Sequence, residues 1–159
     1  MRIEYLADNV ALIPIIARWH HEEWGYFNPG DSVEKRIAFL QTHLGRNQIP
    51  TTFVSLSRGI LLGSASLVAH DMDTRMDLSP WLASIYVTPE QRSRGVGTAL
   101  IQRVLEEAVE LGVETLHLFT PGREGFYASL GWSVVERTEY RGQQVIIMAL
   151  HIMDLHIAA

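Results

Sequence analysis

The sequence contains no cysteine. Disulfides, cysteine-ligated zinc and a cysteine acyl-enzyme are therefore excluded together. Basic residues are in deficit: 13 Lys and Arg stand against 18 Asp and Glu, a formal net charge of −5. General nucleic-acid binders carry basic surfaces, so nucleic acid is not an expected partner. There is no apolar run of membrane-spanning length and no charged-then-apolar leader with a cleavage site, so no membrane contact is expected and cytoplasm is the expected location. The histidines are poorly spaced for a metal. His20 and His21 are adjacent, and His151 and His156 lie five apart, so no His-Glu-x-x-His site arises and no metal is expected. Repeats, low-complexity tracts and interdomain linkers are also missing, which leaves one domain over residues 1–159.

What is present centres on residues 81–112. Trp81-Leu82-Ala83-Ser84-Ile85-Tyr86-Val87 is short, apolar and bounded by Pro80 and Pro89, the pattern of a buried strand. Val96, Leu100, Val104, Ala108 and Leu111 then recur at helical spacing, with Gly112 placed to stop the helix. The turn between them is rich in Arg and Gly. Such a turn makes an anion cradle from backbone N–H groups at a helix start, with glycines admitting close approach. It is not a Walker loop, since no Gly-Lys-Ser/Thr ending follows. Nor is it a dinucleotide fingerprint, whose third small residue would fall at Leu100. Arg92, Arg94 and Arg103 concentrate positive charge here against an acidic background. Arg92 and Arg94 either add charge to the cradle or are simply solvated.

Taken in order, residues 1–6 alternate as a first strand, with Asp8 or Asn9 available to cap the following helix. Ile13, Ile16, Ala17, His20 and Trp24 share one face of that helix, which Pro14 starts or kinks. Asp31 and Glu34 form a capping-box-like start to a second helix that Gly45 closes. Residues 52–56 and 60–70 are strands around an Arg58-Gly59 turn, followed by a polar loop with Asp71, Asp73 and Asp77. After the central strand and helix come a strand over 115–119, a short helix over 124–130 ended by Gly131, and a final hairpin turning at Arg141-Gly142. The order β-α-α-β-β-β-α-β-α-β-β describes an α/β fold: one mixed, mostly antiparallel twisted sheet of six or seven strands flanked by about four helices.

Arg92-x-x-Gly95-x-Gly97, set between strand and helix, resembles the pyrophosphate-binding signature of the GNAT (Gcn5-related) N-acetyltransferases. A second motif agrees. Phe126-Tyr127-Ala128-Ser129-Leu130-Gly131-Trp132 is similar to the family's fourth-helix signature, at the family's spacing and with a helix and a strand between. The element order is also that of the family, and the resemblance runs from Ile3 to about His151. It implies an acetyl-CoA-dependent N-acetyltransferase that acetylates a primary amine, a small molecule ahead of a peptide or protein N-terminus.

By that resemblance the turn Arg92, Ser93, Arg94, Gly95, Val96, Gly97 and Thr98 binds coenzyme pyrophosphate. Ile85, Tyr86 and Val87 offer a strand edge to the thioester carbonyl and the amide-rich pantetheine arm. Tyr127 is placed to protonate the leaving thiolate, and Phe126 packs beside it and is counted with the coenzyme-binding residues. Many members carry Asn where this chain has Thr120, whose hydroxyl remains a possible donor. Some members place a general-base Glu where this chain has Trp81. Glu22, Glu23, His70 and Asp77 border the expected acceptor pocket as candidate bases, and none is assigned. Trp19, Trp24, Tyr26, Phe27 and Trp81, with the acidic loop, suit a cationic amine with apolar surface, or equally a core and a solvated loop. Without cysteine, direct attack in a ternary complex is the natural route. The alternative is a non-catalytic acyl-CoA-binding sensor or interaction module on the same fold. Residues 145–150 are apolar enough for a core strand or a homodimer interface.

Overall fold

Two strands covered on both faces set the plan of the molecule. The structure, a computed structural model, describes residues 1–152, so His156 lies outside the described residues. Strands β1 (Arg2–Tyr5), β2 (Thr51–Ser57), β3 (Ile60–Val68), β4 (Trp81–Val87), β5 (Thr115–Thr120), β6 (Ser133–Tyr140) and β7 (Gln143–His151) form one sheet in the order β1-β2-β3-β4-β5-β7-β6. Every neighbouring pair is antiparallel except β4 and β5. The helices among the described residues are α1 (Ile13–Trp24), α2 (Val33–Leu40), α3 (Val96–Glu110) and α4 (Glu124–Ser129). The mixed, mostly antiparallel sheet and four helices are those expected from the sequence.

Successive side chains of β2 point to opposite faces. Phe53 therefore joins Leu82, Leu100, Val104, Leu116 and Met148 beneath α3, while Val54 joins Ile13, Ile16, Ala17 and Leu40 beneath α1 and α2. Burying each such aliphatic side chain contributes about 1.5–3 kcal/mol before chain entropy is counted. Small polar residues fill the same strands, and they are paired. His20 Nε2 lies 2.9 Å from Ser64 Oγ, His43 Nδ1 lies 3.2 Å from Thr52 Oγ1, and Thr52 Oγ1 lies 2.7 Å from Ser66 Oγ. A third cluster of Val68, Met72, Trp81, Tyr140, Val145 and Ile147 closes the far end of the sheet.

Several local expectations are corrected. Neither Asp8 nor Asn9 caps α1. Two 3-10 turns intervene, Asn9 Nδ2 instead donates to Glu4 and to the Tyr5 carbonyl, and Pro14 sits in the first turn of α1. The cap of α2 is Ser32, which accepts from the Lys35 N–H. Asp31 binds His21 Nδ1 and Arg36 Nε instead, and α2 ends at Leu40, well before Gly45. Arg103 belongs to the opposite edge of α3. It pairs with the buried Glu107, whose carboxylate also accepts from Tyr5 Oη and the Asn47 N–H. The apolar run 145–150 lies in β7 between β5 and β6, the core strand that is one of its two readings, with Val145, Ile147, Met148, Ala149 and Leu150 buried.

Candidate active site

The one parallel neighbour pair is where the sheet opens. β4 and β5 share a single register pair, Trp81 with His117, at their starts. There the His117 N–H donates to the Pro80 carbonyl at 3.0 Å. Beyond that point the strands part and a cleft of about 1110 Å³ enters the sheet, lined by residues 82–87 of β4 and 118–120 of β5. On its other side β4 carries a bulge against β3: Ser64 pairs with Tyr86 but Ser66 with Ala83, and Ser84 between them adopts φ +53°. A bulge adds one residue to one strand and turns it from its neighbour. A left-handed Ser is strained, and such strain persists only where surrounding structure enforces it. Here Gly63 lies so close that a Cβ on it would meet the Tyr86 carbonyl oxygen at 2.4 Å.

At one end of the cleft stands the start of α3. Its N-cap is Gly95 at φ +84°, and no side chain caps the helix, so the first-turn N–H groups lack side-chain partners. Uncapped donors at the positive end of a helix dipole select an anion. Ser93 at φ +62° and Gly95 fold the preceding turn so that Gln91, Arg92, Ser93, Gly95, Gly97 and Thr98 all line the cleft. A Cβ on Gly97 would meet nothing nearer than Val87 Cγ2 at 3.7 Å. The fold therefore has room for a side chain there, and the vacant space belongs to the cleft.

The structure brings most of the predicted coenzyme residues together, including Ile85, Tyr86, Val87, Thr120 and Phe126. Arg94 and Val96 stand apart. Arg94 is exposed and does not line the cleft, while Val96 is buried in the core. Arg92 reaches back: its Nε donates to the Val87 carbonyl at 2.9 Å and its guanidinium lies over the Tyr86 ring. It ties the turn to the end of β4. Thr120 Oγ1 accepts from the Arg123 N–H at 3.2 Å, which fixes the entry to α4.

Tyr127 projects from α4 onto the cleft, half-buried, its ring 5.1 Å from Phe126 and 6.3 Å from Trp132 in edge contacts. Burial raises its phenol above the ordinary value, with Arg123 pulling the other way. The group holds its proton at neutral pH.

The opposite end of the cleft is walled by Phe27, Phe119 and Tyr140, with Trp24 and Tyr26 at the rim. Phe119 and Tyr140 were not singled out by sequence, since nothing local in a strand pattern tells which aromatic faces an opening. Trp81 is fully buried and Trp19, partly buried, stacks on the ring of Tyr86; neither lines this chamber. Of the candidate bases Glu23 and His70 line the cleft. Glu22 and Asp77 do not, and Asp77 is held by Arg75. Three chain segments meet over this end. Arg141 binds Asn28 and Asp73, Tyr140 Oη accepts from the Asp73 N–H at 3.3 Å, and Gln143 Nε2 donates to Tyr26 Oη at 3.2 Å.

A sheet parted between two parallel strands, with an uncapped helix start at the gap, matches the architecture of acyltransferases that draw on a coenzyme A thioester. The model of the acetyltransferase (GNAT) family matches residues 16–132, and the chain belongs to that family. Among solved structures it is similar to an aminoglycoside 6'-N-acetyltransferase complexed with coenzyme A, at 17% identity over 96% of this chain and 97% of that one, with a TM-score of 0.74. It is also similar to yncA from Salmonella typhimurium with acetyl-CoA, at 20% identity, 96% and 94% coverage and a TM-score of 0.71. A ribosomal-protein-alanine N-acetyltransferase from Brucella melitensis matches at 20% identity, 95% and 99% coverage and a TM-score of 0.71. At such identities these likenesses establish the fold alone. No curated protein matches the chain in sequence. No metal-binding group of three or more His, Asp or Glu occurs among the described residues, and no described helix is long and apolar enough to cross a membrane.

Proposed function

We propose that the chain transfers an acetyl group from acetyl-CoA to the primary amine of a small molecule, by direct attack in a ternary complex. The observation that carries this reading is one continuous cleft joining an uncapped helix start, a proton-holding tyrosine and an aromatic, partly acidic chamber. The residues fit the coenzyme. The first-turn donors of α3 suit its pyrophosphate, the space at Gly97 admits the phosphates closely, and the parted edge of β4 suits an extended, amide-rich arm.

When bound, acetyl-CoA supplies the thioester that makes acyl transfer favourable. The chain's own groups do the rest. The backbone N–H of Val87, on the open side of β4, is the donor for the carbonyl oxygen as it gains charge, while that of Tyr86, opposite Ser64, faces β3. Tyr127 gives its proton to the departing thiolate. The ties among Asn28, Asp73, Tyr140 and Arg141 restrict the chamber, and an extended peptide would have to part them, which favours a compact acceptor.

The test is thiol release from acetyl-CoA across a panel of small amines and short peptides. Release with small amines and little with peptides is expected. Preference for a peptide N-terminus would overturn the acceptor class, and tight acetyl-CoA binding without release from any acceptor would favour a sensor on this fold.

A further inference from the structure

The three loop acids between β3 and β4 have separate fates. Asp77 binds Arg75, and Asp73 binds Arg141 Nη2 at 3.2 Å. Asp71 alone of the three makes no ion pair within the described residues, and it lies half-buried in the wall of the acceptor chamber. Phe119 lines that chamber too, beside Phe27 and Tyr140, whose rings carry the Arg141 guanidinium 5.7 and 4.8 Å from their centroids. An unpaired carboxylate among aromatic rings is a site for an organic ammonium ion: the carboxylate takes the charge and the rings take the apolar skeleton.

We propose that Asp71 binds the ammonium group of the acceptor and removes its first proton. This rests on the acetyltransferase reading above and names the base that the family-like position, occupied by Trp81, does not supply. In the step, an N–H bond of the ammonium breaks and an O–H bond forms on the Asp71 carboxylate. The freed nitrogen lone pair forms the N–C bond to the acyl carbon while the C–S bond breaks. The thiolate takes the Tyr127 proton, and the second proton leaving nitrogen returns to Tyr127. The proton on Asp71 passes to solvent as the product leaves, so one acid equivalent is released per turnover.

The surroundings suit that role. Burial raises the Asp71 carboxyl to about 7, opposed by the guanidiniums of Arg141 and Arg36. The other charged or titratable groups on the cleft are His70 and Asp73 of its own loop, Glu23 of α1, Tyr86 of β4, Arg92 and Arg123 of the turns before α3 and α4, Tyr127 of α4, and Tyr26 and Tyr140 at the chamber. A carboxyl near 7 is ionised enough to receive an ammonium ion and basic enough to take its proton at neutral pH.

The test is kcat/KM for an active amine against pH, in the wild type and in Asp71→Asn, with acetyl-CoA affinity measured alongside. In the wild type kcat/KM should rise to about pH 7 and then level off. In Asp71→Asn it should be about 100-fold lower at pH 7 and keep climbing about tenfold per pH unit to pH 9, because only the amine already neutral in solution can react. Acetyl-CoA affinity within twofold of wild type would show the variant folded, and Asp71→Ser should repeat the profile. Wild-type activity and profile retained in both variants would overturn the role of Asp71 and leave the acetyltransferase reading intact. A wild type that turns over no amine would overturn the two together.

Discussion

The buried histidines make the stability of this protein depend on pH, with a size the structure sets. His20 is 2% exposed and His43 is 4% exposed. Burial lowers His20 from 6.5 to about 3, helped by Arg36 and His43 and opposed by Asp31, and burial lowers His43 to about 4. Unfolded, each imidazole takes a proton below about 6.5; folded, it does so only near 3 or 4. The unfolded chain therefore binds more protons as pH falls, and stability that is complete above 6.5 is lost toward the folded values. From pH 8 to pH 5 the loss is about 2 kcal/mol for each histidine. Asp71 acts in the opposite sense. Its raised carboxyl contributes stability that is present below its unfolded value and lost as pH rises through 7, an effect that solvent at the open cleft keeps below roughly 2–3 kcal/mol. A difference measurement separates them. His20→Gln keeps an amide within reach of Ser64 Oγ and removes the titration, while Asp71 contributes equally to either protein. Urea unfolding at pH 8, 6.5 and 5 should show the wild type losing about 2 kcal/mol more than His20→Gln across that range. Curves that stay parallel within about 0.5 kcal/mol would refute the reasoning.

Two glycines give predictions of opposite sign. At Gly97 the fold has room for a methyl group, so Gly97→Ala should stabilise α3 by about 0.5–1 kcal/mol in urea unfolding. The same methyl enters the cleft proposed for the coenzyme, so acetyl-CoA affinity measured by calorimetry should fall; unchanged affinity would place the pyrophosphate elsewhere. At Gly63 a methyl group would meet the Tyr86 carbonyl oxygen at 2.4 Å, which only movement of β4 relieves. Gly63→Ala should therefore destabilise by about 1–3 kcal/mol and lower turnover by shifting the bulge, whereas wild-type stability would show that β4 yields freely.

The order of elements and the two family motifs were legible in the chain because they are local. A strand, an Arg- and Gly-rich turn and an amphipathic helix declare themselves within thirty residues, and so does Phe-Tyr-x-x-Leu-Gly. The acceptor side was not legible in the same way. Asp71 reads as one acid among three until ion pairing to Arg75 and Arg141 removes the other two. Phe119 and Tyr140 become cleft residues only because β4 and β5 part after one register pair. Arg103 looked like part of the anion site from its closeness in sequence to Arg92 and Arg94. Along α3 it faces Glu107 and the rings of Tyr5 and Phe53 on the far edge. Ser84 carried no sign of its left-handed backbone, because a bulge is a relation between two strands.

The central claim is that Tyr127 serves acyl transfer in a cleft that binds acetyl-CoA. Thiol release in the presence of an active amine tests it directly, and the absence of cysteine leaves no protein thiol to obscure the signal. Tyr127→Phe should keep acetyl-CoA affinity within a few-fold and lower kcat by about 10²–10⁴, since the ring still packs against Phe126 and Trp132 but has no proton to give. A variant with wild-type kcat would contradict the account.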